Sequence, residues 1–381
     1  LRPAAATRAC QYFLDNFPGN TLYAVKTNPD PEILDAVYNA GIRRFDVASP
    51  SEIELVSARY ADAEVCFMHP IKNRRVIAQA YHQYGVRTFA LDSHEELQKI
   101  RDATGNAEDL TLLVRLAVPN HHAAFTLSHK FGISREDAPA LLSATRQVAA
   151  RLGVCFHVGS QCLQPSAYGT ALRLVRDLIH RTGILLDVVD IGGGFPSIYP
   201  GMTSPPLAAY MSEIRSALDI LPTMENCETW CEPGRALVAE AASTLVRVDM
   251  RKDDCLYIND GTYGSLFDAG SPGFRYPVAC IRAEESTVFG LQPFSFYGPT
   301  CDSLDYMKGP FMLPADMHEG DYIEIGLTGA YGAALQTRFN GFYSDAKVLL
   351  DDEPMMTLYG PESEQQIFAE MENVTPIEVG A

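Results

Sequence analysis

The chain of 381 residues is short of positive charge: 30 lysines and arginines stand against 48 aspartates and glutamates, a formal net charge of −18. That balance argues against nucleic acid and anionic membrane surfaces as partners. It is compatible with a cationic small molecule, which a negative field concentrates, although many soluble proteins are acidic for solubility alone. Long apolar runs are lacking as well. None is long enough to span a bilayer, and no signal-peptide pattern is present. The nine cysteines follow no repeating spacing, so a disulfide framework is not expected and a reducing cytoplasm fits better. Cys227 and Cys231 are spaced C-x-x-x-C, but no second pair or histidine cluster completes a zinc site, and no metal is expected. Internal repeats, coiled-coil heptads and low-complexity linkers are missing too. The sequence starts at Leu1, and an upstream piece with any targeting signal is expected to lie outside it.

What the chain does have is a hydrophobic fraction of 47%, enough for two globular domains. Short apolar runs recur in its first part: LYAVK, RFDVAS, VCFMHP, RTFALDS, LTLLVRLAV, VCFHVGS, DVVDIGGGF and ETWCEPGR. Most do not alternate strictly, as strands buried on both faces should read. Helix-like stretches lie between them. PEILDAVYNAG is amphipathic and ends at glycine. SPSEIELVSARYA and SHEELQKIRDA each open with a serine followed three residues on by glutamate, the look of a capping box, and SAYGTALRLVRDLIHRTG stops at Gly183. Eight strands alternating with helices predict an α/β fold, a (β/α)8 TIM-like barrel over residues 1–241. From 242 to 381 the pattern changes to short runs broken by Gly, Pro and Asp: STLVRVDM, CLYINDG, PFSFYGP, DYIEIG and FNGFYSDAKVLL. These predict a mostly β second domain. ESEQQIFAEMENV is expected to form a last helix or a tail.

Barrels of this kind carry their chemistry at the C-terminal ends of the strands. Lys26 falls at the end of the first expected strand, Asp46 near the end of the second and His157 near the end of the sixth. Gly192–Gly194 follow the seventh, and Glu232 and Arg235 close the eighth. Bare peptide at a glycine loop can approach a phosphate closely. A phosphate site on one side of the mouth and a strand-end lysine on the other suggest pyridoxal phosphate held as a Schiff base. An acidic partner such as Glu232 would keep its ring nitrogen protonated, and Arg235 would orient that carboxylate. Each residue also has a plainer reading: a lysine whose stem lies on the core, a glycine turn, a structural Glu232–Arg235 salt bridge, a core histidine.

The stretches YAVKTN, FDVASPSEIE, HVGSQ, DIGGGFP, EPGR, NDGTYGS, GPTCDSLD and GAYG with the later FNGF occur in one order from Lys26 to Phe342. In these the chain resembles the fold-type III pyridoxal-phosphate decarboxylases, and most of all the ornithine decarboxylase branch, whose two-domain architecture is shared with alanine racemase. The resemblance implies that Lys26 carries the pyridoxal 5′-phosphate and His157 stacks on it. It implies that Ser160, Gly193, Gly194, Arg235 and Tyr331 hold the phosphate and that Glu232 pairs with the ring nitrogen. Asp46, Glu52 and Arg115 match polar positions around the lysine and the cofactor. Tyr263, Cys301 and Asp302 lie in the second domain. Cys301 and Asp302 would reach the partner's site in a homodimer, Cys301 as the proton donor and Asp302, with Tyr263, on the substrate's distal amine. Taken alone, Cys301 reads as a buried thiol and Asp302 as a turn residue.

The implied activity is decarboxylation of ornithine to putrescine, with lysine as a further substrate, in polyamine biosynthesis. The chain departs from the pattern in two respects. The short strand that normally precedes the first barrel helix and belongs to the β domain is represented only by Leu1-Arg2-Pro3 as its expected tail. A second aspartate usual after NDG-x-YGS falls near Pro272, with Asp268 close by but not aligned, so length selection between ornithine and lysine stays open. Diaminopimelate decarboxylases, which show Cys-Glu-Ser where this chain has Cys301-Asp302-Ser303, are the enzymatic rival. A non-catalytic regulatory homologue is the rival of another class.

Overall fold

The computed structural model describes residues 1–119, 123–125, 130–222, 226–282 and 290–359. The chain divides into two compact units. One comprises Cys10–Pro196 and Ser204–Val238; the other comprises Leu1–Ala9, Ser197–Thr203 and the chain from Ala239 onward. Helix α1, Pro3–Asn16, begins in the second unit and ends in the first.

The first unit is a barrel. Its strands are β1 (Asn20–Ala24), β2 (Arg44–Val47), β3 (Glu64–Phe67), β4 (Thr88–Leu91), β5 (Thr111–Arg115), β7 (Arg151–Cys155), β9 (Val188–Asp190) and β10 (Glu228–Cys231). All eight pair in parallel and close in the order β1-β10-β9-β7-β5-β4-β3-β2. They overlap the eight apolar runs, although β7 meets VCFHVGS only at Val154 and Cys155. All four residues of β4 and the first four of β5 are buried, which is why these strands read as continuous apolar stretches. Two short strands, β6 (Ala123–Phe125) and β8 (Ser160–Cys162), pair antiparallel as a ribbon outside the barrel.

The intervening helices are α2 (Pro31–Asn39), α3 (Pro50–Arg59), α4 (Arg74–His82), α5 (His94–Ala103), α6 (Ala138–Arg146), α7 (Ser166–Thr182) and α8 (Leu207–Leu218), and a short α9 (Arg235–Val238) follows β10. Side-chain caps start several of them. Asp30, Ser49, Asn73 and Ser93 each accept a backbone N–H of the first turn, a contact worth about 1 kcal/mol. Glu52 completes the cap of α3 by accepting the Ala48 N–H at 2.7 Å. Glu96 does not repeat this at α5. Its carboxylate turns to the buried Lys72 at 3.0 Å and to Lys99 at 2.5 Å. Helix α7 ends at Gly183, whose φ of 66° continues the chain in the left-handed region.

Inside the barrel, Leu22, Cys66, Met68, Ala90, Leu113, Cys155, Val188 and Trp230 form one buried cluster. Each large apolar side chain so removed from water contributes about 1.5–3 kcal/mol. Below it the Glu228 carboxylate accepts from Arg44 at 2.8 Å, Arg151 at 2.6 Å and the Trp230 indole at 2.8 Å. Despite partial burial, Arg44 and Trp230 hold Glu228 down to about 2, so this acid stays ionised.

The second unit is built on a six-stranded sheet in the order β13-β16-β11-β12-β14-β15. Its strands are β11 (Thr244–Lys252), β12 (Cys255–Ile258), β13 (Val278–Ile281), β14 (Leu291–Tyr297), β15 (Tyr306–Pro314) and β16 (Tyr322–Ile325). Four of the five expected runs are strands. FNGFYSDAKVLL is not. Asn340 turns the chain at φ 52°, a single 3-10 turn spans Phe339–Gly341, and the residues after it stay exposed without joining the sheet. Strands β13 and β15 were not expected. The expected helix or tail ESEQQIFAEMENV lies outside the described residues. A buried acid, Glu240, ties residues 357 and 358 to this unit by accepting the Thr357 hydroxyl at 2.8 Å and the Leu358 N–H at 2.6 Å. Burial pushes Glu240 up to about 7. No helix among the described residues is long and apolar enough to cross a membrane.

Candidate active site

Strand β1 ends at Ala24, and a 3-10 turn over Val25–Thr27 places Lys26 at the C-terminal mouth of the barrel. Its Nζ lies 2.7 Å from Asp46 Oδ2. The Asp46 side chain, on β2, is 2% exposed, whereas that of Lys26 is 42% exposed. The buried carboxylate therefore fixes where the amine points, while the lysine side chain stays partly exposed. Glu52 belongs to the same neighbourhood. Burial, then the charge of Asp46, raise its pKa, and the Ala48 N–H and Lys26 oppose them.

His157 follows β7. Its Nδ1 accepts the Gly159 N–H at 3.0 Å, which assigns the remaining ring proton to Nε2. Burial, with Arg115 and Lys26 nearby, lowers it to about 3. The imidazole is thus a neutral plate at any ordinary pH. Arg115 closes β5 with its guanidinium carbon 5.5 Å from the centre of the Phe131 ring. Ser160 begins β8, opposite Phe125 in the ribbon.

The glycine loop after β9 is packed against this histidine. A Cβ on Gly193 would lie 2.6 Å from the Glu232 carbonyl oxygen and 3.2 Å from His157 Nε2. Gly194, at φ 101°, would press one into the Gly159 carbonyl at 2.4 Å. Only glycine permits this bare stretch of peptide at the mouth. Tyr168 donates its hydroxyl to the Gly193 carbonyl at 3.0 Å and fixes the loop from outside.

Glu232 follows β10, and its N–H donates to the Gly192 carbonyl at 2.8 Å. Its carboxyl is nearly buried and lies close enough to that of Asp190 to feel its charge. Asp190 itself is fully buried at the end of β9, with Oδ1 accepting the Gly192 N–H at 2.8 Å. Burial and then the charges of Asp190 and Asp46 push Glu232 well above the usual carboxylate range, and burial lifts Asp190 to about 6. Two buried carboxyls near each other resist ionising together. Sequence reasoning missed Asp190, whose only signal was an acid inside the run DVVDIGGGF. Arg235, the first residue of α9, is 5% exposed.

The remaining expected residues lie in the β unit. The Tyr263 hydroxyl donates to Asp302 Oδ2 at 2.5 Å, and Asp302 Oδ1 accepts the Leu304 N–H at 2.9 Å. These two bonds, the Leu304 N–H first, lower the Asp302 pKa and keep it an anion. Cys301 is exposed, and its N–H donates to Asn340 Oδ1 at 3.0 Å. Phe339 lies against the Tyr263 ring, with centroids 4.9 Å apart. Tyr331 occupies a left-handed position, φ 58°.

The barrel residues suit pyridoxal phosphate. Asp46, Asp190 and Glu232 bring an excess of buried acid to one place, and a protonated ring nitrogen offers the positive charge and the donor that this group calls for. Gly193 and Gly194 run as bare peptide because a Cβ at either would strike the Glu232 or the Gly159 carbonyl oxygen, and bare peptide at a strand end is the kind of chain that can approach a phosphate closely. Among the described residues no group of three or more His, Cys, Asp or Glu side chains could hold a metal ion.

Comparison with known proteins agrees with this fit. Residues 4–239 match the family model of the pyridoxal-dependent decarboxylases, pyridoxal binding domain. The lysine/ornithine decarboxylase of Selenomonas ruminantium is 35% identical over 341 residues, covering 87% of this chain and 84% of the relative. Antizyme inhibitor 2 of Xenopus laevis is 32% identical, covering 84% of this chain and 73% of that protein. The crystal structure of lysine/ornithine decarboxylase from Vibrio vulnificus complexed with putrescine superposes with a TM-score of 0.79 at 31% identity, covering 92% of this chain and 93% of the other. On this family match and these similarities, the chain belongs to the fold-type III pyridoxal-phosphate-dependent decarboxylases, in the ornithine decarboxylase branch.

Proposed function

We propose that this enzyme decarboxylates L-ornithine to putrescine and CO2, with L-lysine to cadaverine as a second activity, in the cytoplasm and as a homodimer with shared active sites. Residues 1–241 bind the cofactor and residues 242–381 supply the groups that read the substrate. The observation that carries the reading is Asp302: an exposed-loop carboxylate kept ionised by the Leu304 N–H and the Tyr263 hydroxyl, next to an exposed thiol. Such an anion selects a substrate with a terminal ammonium, because an analogue lacking it leaves the acid unpaired. The named relatives that act on ornithine or lysine support the same choice.

Bound pyridoxal 5′-phosphate supplies the sink for the electron pair left on Cα when CO2 departs. Lys26, held by Asp46, is the amine that carries it. Ser160, Gly193, Gly194, Arg235 and Tyr331 hold the phosphate, and Arg115 stands beside the site. Glu232 would accept the ring N–H, with Asp190 buried nearby. His157, being neutral, covers the ring without adding charge. Cys301, contributed across the dimer, returns a proton to Cα and so sets amine as the product. Nine cysteines without a repeating spacing accord with a reducing compartment.

Turnover of ornithine, lysine and diaminopimelate on one preparation tests the proposal. Ornithine is expected to have the highest kcat/KM and lysine measurable turnover. Exclusive turnover of diaminopimelate, whose distal carboxylate Asp302 would repel, overturns it. The similarity to Antizyme inhibitor 2 raises a regulatory reading. The Lys26–Asp46 pair and the intact glycine loop favour an enzyme, and a protein that takes up no added cofactor would decide against one.

A further inference from the structure

Tyr263, Cys301 and Asp302 sit on two loops of the β unit that share a single buried carboxylate. Asp305 is 1% exposed. Its Oδ1 accepts the Thr262 N–H at 2.7 Å and the Thr262 hydroxyl at 3.0 Å. Its Oδ2 accepts the Thr300 N–H at 3.1 Å and the Thr300 hydroxyl at 2.8 Å. Each oxygen therefore serves one loop. The backbone of Asp305 adds two further ties within its own loop: its carbonyl accepts the Gly298 N–H at 2.8 Å, and its N–H donates to the Asp302 carbonyl at 3.0 Å. The fit is close on both sides, since a Cβ on Gly261 or on Gly298 would come 2.2 Å from Asp305 Oδ1.

We infer that Asp305 is a positioning residue that locks the Thr262 loop to the Thr300 loop, fixes the spacing of the Tyr263 hydroxyl, the Cys301 thiol and the Asp302 carboxylate, and thereby sets how sharply the enzyme discriminates diamino acids by length. The inference rests on the substrate-reading role proposed for Asp302. Tyr263 follows Thr262 directly, and Cys301 and Asp302 follow Thr300 directly, so the four hydrogen bonds act one or two residues from the groups they place. A carboxylate takes four donors in this arrangement; an amide turns an N–H2 toward one pair of them. Ornithine and lysine differ by one methylene, so a loosened loop costs selectivity before it costs chemistry.

Thr300→Val removes one hydroxyl donor with little change of shape, and Asp305→Asn disturbs one loop of the pair. Each is expected to raise KM for ornithine roughly tenfold, the scale of one charge-assisted hydrogen bond. Each should also narrow the ornithine-to-lysine ratio of kcat/KM, with kcat and cofactor affinity within about twofold of the parent. Thr300→Ser, which keeps the hydroxyl, should restore both KM and the ratio. If Asp305→Asn fails to fold, the Thr300 pair decides. Unchanged KM and ratio in Thr300→Val, or equal losses in kcat and cofactor affinity, would overturn the inference. Asp302→Ala separates the two levels: a rise in KM there with a silent Thr300→Val sinks the clamp alone, whereas a silent Asp302→Ala sinks the substrate reading beneath it as well.

Discussion

In the barrel, His157 and Glu232 at the strand ends are set by burial; in the β unit, Asp302 is set by hydrogen bonds in reach of water. His157 is driven down to about 3 and Glu232 far up because charge is costly where they sit. Asp302 moves the other way from Glu232, held down by the Leu304 N–H and the Tyr263 hydroxyl. The same side-chain chemistry, a carboxyl group, is thus disposed to hold its proton in one unit and to remain an anion in the other. A cofactor that brings its own cation needs the first kind. A substrate that arrives charged from solution needs the second.

The comparison can be broken at its extremes. Lys26→Ala is expected to lower turnover at least about a thousandfold, because no other group replaces the amine. The purified variant should also lose the cofactor's visible absorbance, read by spectroscopy with added pyridoxal phosphate. Asp302→Asn, in the other unit, should leave that absorbance intact while kcat/KM for ornithine falls roughly 10- to 100-fold, measured by steady-state kinetics. Equal loss of bound cofactor in both variants would erase the distinction between the units.

A finer test is the pH dependence of stability. The folded pKa of His157, about 3, lies below its ordinary 6.5. The unfolded chain therefore binds the extra proton first, and its contribution is complete above pH 6.5 and lost as pH falls toward 3. Glu240 in the β unit runs in the opposite sense. Its folded pKa of about 7 exceeds 4.5, so its contribution is complete below pH 4.5 and fades as pH rises through 7. Thermal melts across this range should show His157→Gln flattening the acid limb and Glu240→Gln flattening the neutral one. Effects of the two substitutions on the same limb would contradict these assignments.

Much of the barrel was legible because parallel strands covered on both faces leave unbroken apolar runs, and capping residues such as Asp30 and Ser49 mark where helices begin. The β unit was harder. Strand β15 alternates buried and exposed residues and carries Gly309-Pro310 in its middle, which hides it as a loop. FNGFYSDAKVLL has the apolar content of a strand but no ladder to join, and composition alone does not supply a partner. At the site, Lys26 was found by its place at a strand end. The roles of Tyr331, Cys301 and Asp302 came from resemblance only, since nothing in their local pattern separates them from turn residues. Asp190 and Asp305 escaped notice because a buried acid looks the same in sequence as a solvated one; what distinguishes them is the set of donors that folding brings to them.

Trp230 is the chain's single tryptophan, and it lies fully buried in the barrel's inner cluster with its indole bound to Glu228. Its fluorescence is consequently a private signal of one unit. A red shift of that emission marks the opening of the barrel and is blind to the β unit, so unfolding of the barrel can be timed by itself in the unmodified protein.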